Sequence, residues 1–96
     1  MATLEQRIYD GNRARECLEN EQFIWAFESI EQELTSAWRT SPARDGEARE
    51  KIYLTLQLLT KLKATLTSSL ETGKLADAER IYQQSLLDRA KESLRL

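Results

Sequence analysis

Residues 47–72, EAREKIYLTLQLLTKLKATLTSSLET, decide the fold of this 96-residue chain. At 100° per residue, Ile52, Leu56, Leu59, Leu62, Leu66 and Leu70 fall within a band about 120° wide, the stripe of a long amphipathic helix. The stretch ends in Glu71-Thr72-Gly73-Lys74, where Gly73 reads as a left-handed C-cap that stops the helix. A further helical segment then runs from Leu75 to about Leu94. It carries Leu75, Ala78, Tyr82, Leu86 and Ala90 on one side, with Ile81 and Leu87 on two others.

Upstream, Thr40-Ser41-Pro42-Ala43-Arg44-Asp45-Gly46 is the main turn. Proline drives the residue before it away from helical geometry, and Asp45 or Ser41 can cap the next helix. Before the turn, Asn20 is a fitting N-cap with Glu21 in the first turn, and Phe23, Phe27, Ile30, Leu34, Ala37 and Trp38 recur at helical spacing. Thr3 with Gln6 makes a capping-box start for a helix over about 4–18, on which Leu4, Ile8, Gly11, Arg15 and Leu18 share a face. Gly11 in its middle marks a close helix contact or a bend. With only 3 glycines and 1 proline in the chain, the expectation is an all-α fold. Its frame is an antiparallel helical hairpin (about 20–40 and 47–72) with flanking N-terminal and C-terminal helices, a small helical bundle that forms one domain over 1–96. A compact chain of this size hides roughly 65% of its extended surface.

Charge and composition exclude several classes. With 14 Lys and Arg against 16 Asp and Glu, the net charge is −2, which offers no field for a phosphate backbone or an anionic bilayer. Neither nucleic acid nor a membrane is an expected partner. The N-terminus lacks the basic-then-apolar run of a signal peptide and no stretch is apolar enough to span a bilayer, so a soluble, cytoplasmic chain is expected. The sequence has no His, which removes the usual neutral-pH base and the commonest transition-metal ligand. Cys17 stands alone and reads as a packing residue made in a reducing compartment. The Glu28/Glu31 and Glu47/Glu50 pairs could offer oxygens to a hard cation, but a bundle di-metal site wants Glu-x-x-His. No catalytic, cofactor-binding or metal-binding residue is expected, and no small-molecule substrate.

Two features are out of place for a simple bundle. Between Cys17 and Trp38 there are acids at 19, 21, 28, 31 and 33 and no base, whereas Lys51, Lys61, Lys63 and Lys74 meet only Glu71 over 51–74. These flanks either fix the register of the hairpin or are ordinary solvated faces. Trp25 lies about 200° around its helix from Phe23, opposite the apolar stripe. Either a terminal helix covers it or it anchors a partner, as tryptophan does at interface hot spots. Leu54 and Leu58 pose the same question on the next helix, and Ile24 adds to the surplus. The expected partner interface is therefore Trp25, Ile24, Leu54, Leu58, Ile81 and Leu87, with the acidic flank Glu28 and Glu31 tuning specificity. A homo-oligomer is the leading expectation for what covers it.

The run Phe27 to Leu34 (FESIEQEL) with Ala37-Trp38, then T-S-P-A-R-D over 40–45, E-A-R-E-K-I-Y-L over 47–54 and E-T-G-K-L-A over 71–76, resembles a group of short helical proteins of tailed bacteriophages and prophages. Its members are encoded among head and packaging genes. The likeness covers about residues 12–76, with the T-P-A-R-D turn, here interrupted by Ser41, and the E-T-G-K-L run as its specific parts. It implies a viral protein with a role in virion assembly, located in the host cytoplasm or associated with the virion, with a phage structural protein or a host protein as possible partner. It brings no established activity and no catalytic residue. Two alternatives from other classes stand beside it. One is a DNA-packaging or regulatory protein that uses Arg44, Arg49 and Lys51; the other is a small acidic inhibitor of a host enzyme.

Overall fold

Three side chains set where the helices begin, each by accepting a hydrogen bond from an otherwise orphaned backbone N–H. Thr3 Oγ1 accepts from the Gln6 N–H at 3.1 Å, Asn20 Oδ1 from Phe23 at 3.0 Å and Asp45 Oδ1 from Ala48 at 3.2 Å. In the computed structural model, which describes residues 2–95, these caps open α1 (Leu4–Glu19), α2 (Glu21–Thr40) and α3 (Gly46–Leu94). Asn20 serves twice, since its own N–H donates to the Cys17 carbonyl and closes α1. The chain is all-α, as the periodicity predicts, and the hairpin begins and turns within a residue of the expected limits.

The third and fourth predicted helices are one. Gly73 does not stop α3, and among the described residues no glycine adopts a positive φ. The glycine is needed for a different reason, which is close approach of two helices. A Cβ placed on Gly73 would lie 2.7 Å from the Gly11 Cα and 3.0 Å from the Arg7 carbonyl oxygen. One placed on Gly11 would lie 2.7 Å from the Gly73 Cα and 3.1 Å from the Ser69 carbonyl oxygen. Here α1 and α3 cross backbone to backbone, with Ala14 and Ala76 buried beside the two glycines. This crossing is the larger of the two packings on α3.

The α2–α3 hairpin is held mainly at its turn and at one aromatic. The Arg49 guanidinium stacks over the Trp38 ring at 4.0 Å and Nη1 donates to Ser41 Oγ at 2.7 Å and the Ser41 carbonyl at 3.3 Å. Phe27 is the one bulky buried side chain among the described residues, and Lys63 Nζ lies 5.4 Å from its ring centre. Ile52, Leu56, Leu59, Leu66 and Leu70 are half-buried, while Leu62 and Ile30 of the predicted stripes are exposed. The complementary charges of the two helices do not meet as ion pairs. All four ion pairs among the described residues are i,i+3 or i,i+4 contacts within one helix.

The expected small bundle is corrected by the shape. At 1.5 Å per residue a 49-residue helix is about 74 Å long, and the molecule measures 80 × 26 × 17 Å. Its radius of gyration is 21.6 Å, against about 12–13 Å for a compact domain of this length. Both α1 and α2 run antiparallel to α3 along successive lengths of it, so neither closes a layered core. Beyond the crossing, every residue from Ile81 to Arg95 is exposed except half-buried Ser85. Folding therefore hides about half of the extended surface rather than two thirds: 7979 Å² stays accessible, against about 5,650 Å² for a compact protein of this mass.

Candidate functional site: exposed apolar surfaces

The structure shows which of the apolar residues singled out from sequence are covered within the chain. Neither α1 nor the C-terminal part of α3 covers Trp25, which is 66% exposed, and Leu58 is 67% exposed. Ile24, Leu54, Ile81 and Leu87 are exposed as well. These residues do not converge on one patch. Trp25 and Glu28 lie on the outer side of α2, whereas Glu31 borders the α2–α3 groove near Phe27, Lys63 and Glu71. Leu54 and Leu58 occupy a bare flank of α3. Ile81 and Leu87 sit on the projecting arm, about 40 Å further along the same helix.

Several contributors escape a reading made segment by segment. Leu62, 47% exposed, extends Leu54 and Leu58 at i, i+4 and i+8. Leu75, Tyr82 and Leu86, assigned from sequence to one side of a separate helix, are all exposed, Leu75 at the crossing and the other two on the arm. Continuity of α3 through residue 73 is the missing signal: once the helix is unbroken, only α1 can reach this length, and it takes the face bearing Ser69, Gly73 and Ala76.

The polar surface is quiet. A notch of about 280 Å³ at the crossing is lined by Ile8, Arg15, Leu70, Lys74 and Asp77 among others, but Lys74 is paired with Glu71 and Asp77 holds Arg80 at 2.7 Å. On α1, Arg13 donates to the Tyr9 hydroxyl at 3.1 Å and to Glu16 at 3.0 Å. These partners, the tyrosine first, raise the Arg13 pKa above its ordinary value and keep it charged. Of the basic trio at the head of α3, Arg49 is engaged by Trp38 and Ser41 and Lys51 lies 3.6 Å from Glu47. Among the described residues no three His, Cys, Asp or Glu side chains could hold a metal ion together, and no helix is long and apolar enough to cross a membrane. Cys17 is half-buried and unpaired by any disulfide.

No known protein family, curated protein or solved structure matches the chain.

Proposed function

We propose that this chain is a non-enzymatic bacteriophage protein that works by helix-to-helix contact, self-associating in the host cytoplasm as a virion-assembly or accessory structural component. The observation that supports this reading is the surplus of accessible surface, about 2,300 Å² beyond a compact chain of the same mass. That surplus is studded with large apolar side chains. Monomeric soluble proteins rarely leave so much apolar helix face uncovered, and a stable interface removes about 800 Å² from each partner. The phage assignment rests on the sequence resemblance alone. The alternative use of Arg44, Arg49 and Lys51 on DNA has less support, because two of the three side chains are already engaged within the chain.

Light scattering behind a sizing column, over a hundredfold range of concentration, tests the proposal. A mass of two or more chains that holds across the range is expected. A strict monomer of about 11.1 kDa throughout would refute self-association.

A further inference from the structure

The bare flank of α3 is half of a stripe whose other half is already filled. Continuing Leu54, Leu58 and Leu62 along one side of the helix leads to Thr65, Ser69, Gly73 and Ala76 at three- and four-residue steps. Over its last part the stripe receives α1, and Gly73 and Ala76 are buried beneath it. Over its first part nothing sits on it: Leu54, Leu58 and Leu62 are 56%, 67% and 47% exposed. The chain has thus shown what this side of α3 accepts, which is another helix lying antiparallel.

The bare half also matches itself. Leu54 and Leu62 stand four residues either side of Leu58, so a two-fold axis beside Leu58 would set each Leu54 against Leu62 of a second copy and bring the two Leu58 side chains together. Such an axis keeps each flank of the helix on its own side. Glu50 and Lys61 share one flank, about 80° and 60° from Leu58 in the same sense. Antiparallel pairing therefore brings Glu50 of one copy toward Lys61 of the other, twice, with an axial offset of about 7.5 Å. That is about five helical residues, the stagger at which long flanking side chains bridge paired helices. Neither residue is in any of the four ion pairs among the described residues. Meanwhile α2 meets α3 at Leu56 and Lys63, about 160° and 140° around the helix from Leu58, and leaves the approach open.

We infer that the occupant of this flank is a second copy of the chain, with the two α3 helices antiparallel across Leu58 and Glu50 paired with Lys61 on both sides. The inference rests on the self-association proposed above and adds its surface and register. The surplus of about 2,300 Å² per chain exceeds the roughly 800 Å² per partner that a standard interface takes. It leaves the Ile81–Leu94 arms uncovered.

Three variant sets test it on the full chain. Leu58→Asp changes an exposed residue, so the helical circular dichroism of the chain is retained while self-affinity falls at least a hundredfold. In a Cys17→Ser background, Leu58→Cys joins two chains by a disulfide under mild oxidation and Leu87→Cys does not. Glu50→Lys and Lys61→Glu each weaken association about tenfold, and the double exchange restores it. A wild-type monomer at every concentration overturns both self-association and this pairing. An oligomer that survives Leu58→Asp, or that cross-links as the Leu87→Cys variant and not as the Leu58→Cys variant, overturns the pairing and leaves self-association standing. Failure of the double exchange to rescue overturns the Glu50–Lys61 register.

Discussion

Adding one methyl group at the helix crossing tests the architecture most directly, because the usual rule for glycine in a helix predicts the opposite sign. In an exposed helix interior Gly→Ala stabilises by about 1 kcal/mol. At Gly73 the new Cβ would stand 2.7 Å from the Gly11 Cα, where ordinary carbon contacts lie at about 3.5–4.0 Å. The neighbour is backbone, so no side-chain rotation relieves the clash and α1 must move off α3 by about 1 Å. A gap of that size forfeits a quarter to a half of each dispersion contact, and overpacking of this kind costs about 1–3 kcal/mol. With the propensity gain set against it, Gly73→Ala and Gly11→Ala should each lower stability by up to about 2 kcal/mol. The double variant should lose less than the sum, since the first methyl already opens the gap the second needs. Gly46→Ala, with nothing within 4 Å of its Cβ, is the control and should be neutral or mildly stabilising. Urea unfolding followed by circular dichroism, at one fixed chain concentration, measures all four. Stabilisation by Gly11→Ala would refute the crossing, and it separates this account from one in which Gly73 merely ends a helix.

The same geometry sets three further outcomes. Phe27→Ala should cost about 3–5 kcal/mol in the same urea assay, the range for a buried phenylalanine, because no other bulky side chain of the hairpin is buried; Trp25→Ala should leave stability within about 0.5 kcal/mol when association is held constant. Arg49→Ala should lose about 1–2 kcal/mol through the Trp38 stacking and the bonds to Ser41, and should shift Trp38 fluorescence; Arg49→Lys should not restore either, since an ammonium cannot both stack flat and reach Ser41. Amide hydrogen exchange should be fastest in the arm from about Tyr82 to Leu94, where no second helix protects the backbone, and slow around Gly73 and Ala76.

What the sequence discloses here is local and what it conceals is tertiary. Thr3, Asn20 and Asp45 announce their helices because capping is a bond between residues three apart. Pro42 announces the turn because it constrains its own neighbour. Gly73 misleads for the same reason: a glycine near the end of an apolar stripe has two uses, a left-handed cap or a close approach, and only Gly11, far away in the chain, decides between them. The surplus of apolar residues around Trp25 and Leu58 is legible from the helical wheel. Their separation into an outer α2 surface, an α3 flank and a distal arm is not, because it depends on α3 being one rod.

The distance in sequence between the two glycines of the crossing has a consequence for how the chain reaches its shape. They are about 60 residues apart, so closing that contact directly carries the entropy cost of a loop most of the chain long. The short turn at Pro42 offers a cheaper route: α2 and α3 can zip from the turn outward, and each added pair shortens the remaining loop until α1 meets α3. The larger of the two packings on α3 is then the last to form. During synthesis α1 emerges first and waits for residues 69–76, so a chain halted before them holds a hairpin but leaves α1 without its seat. Such a truncated product should present α1 to proteases while α2 stays protected, an order of cleavage that limited proteolysis would reveal.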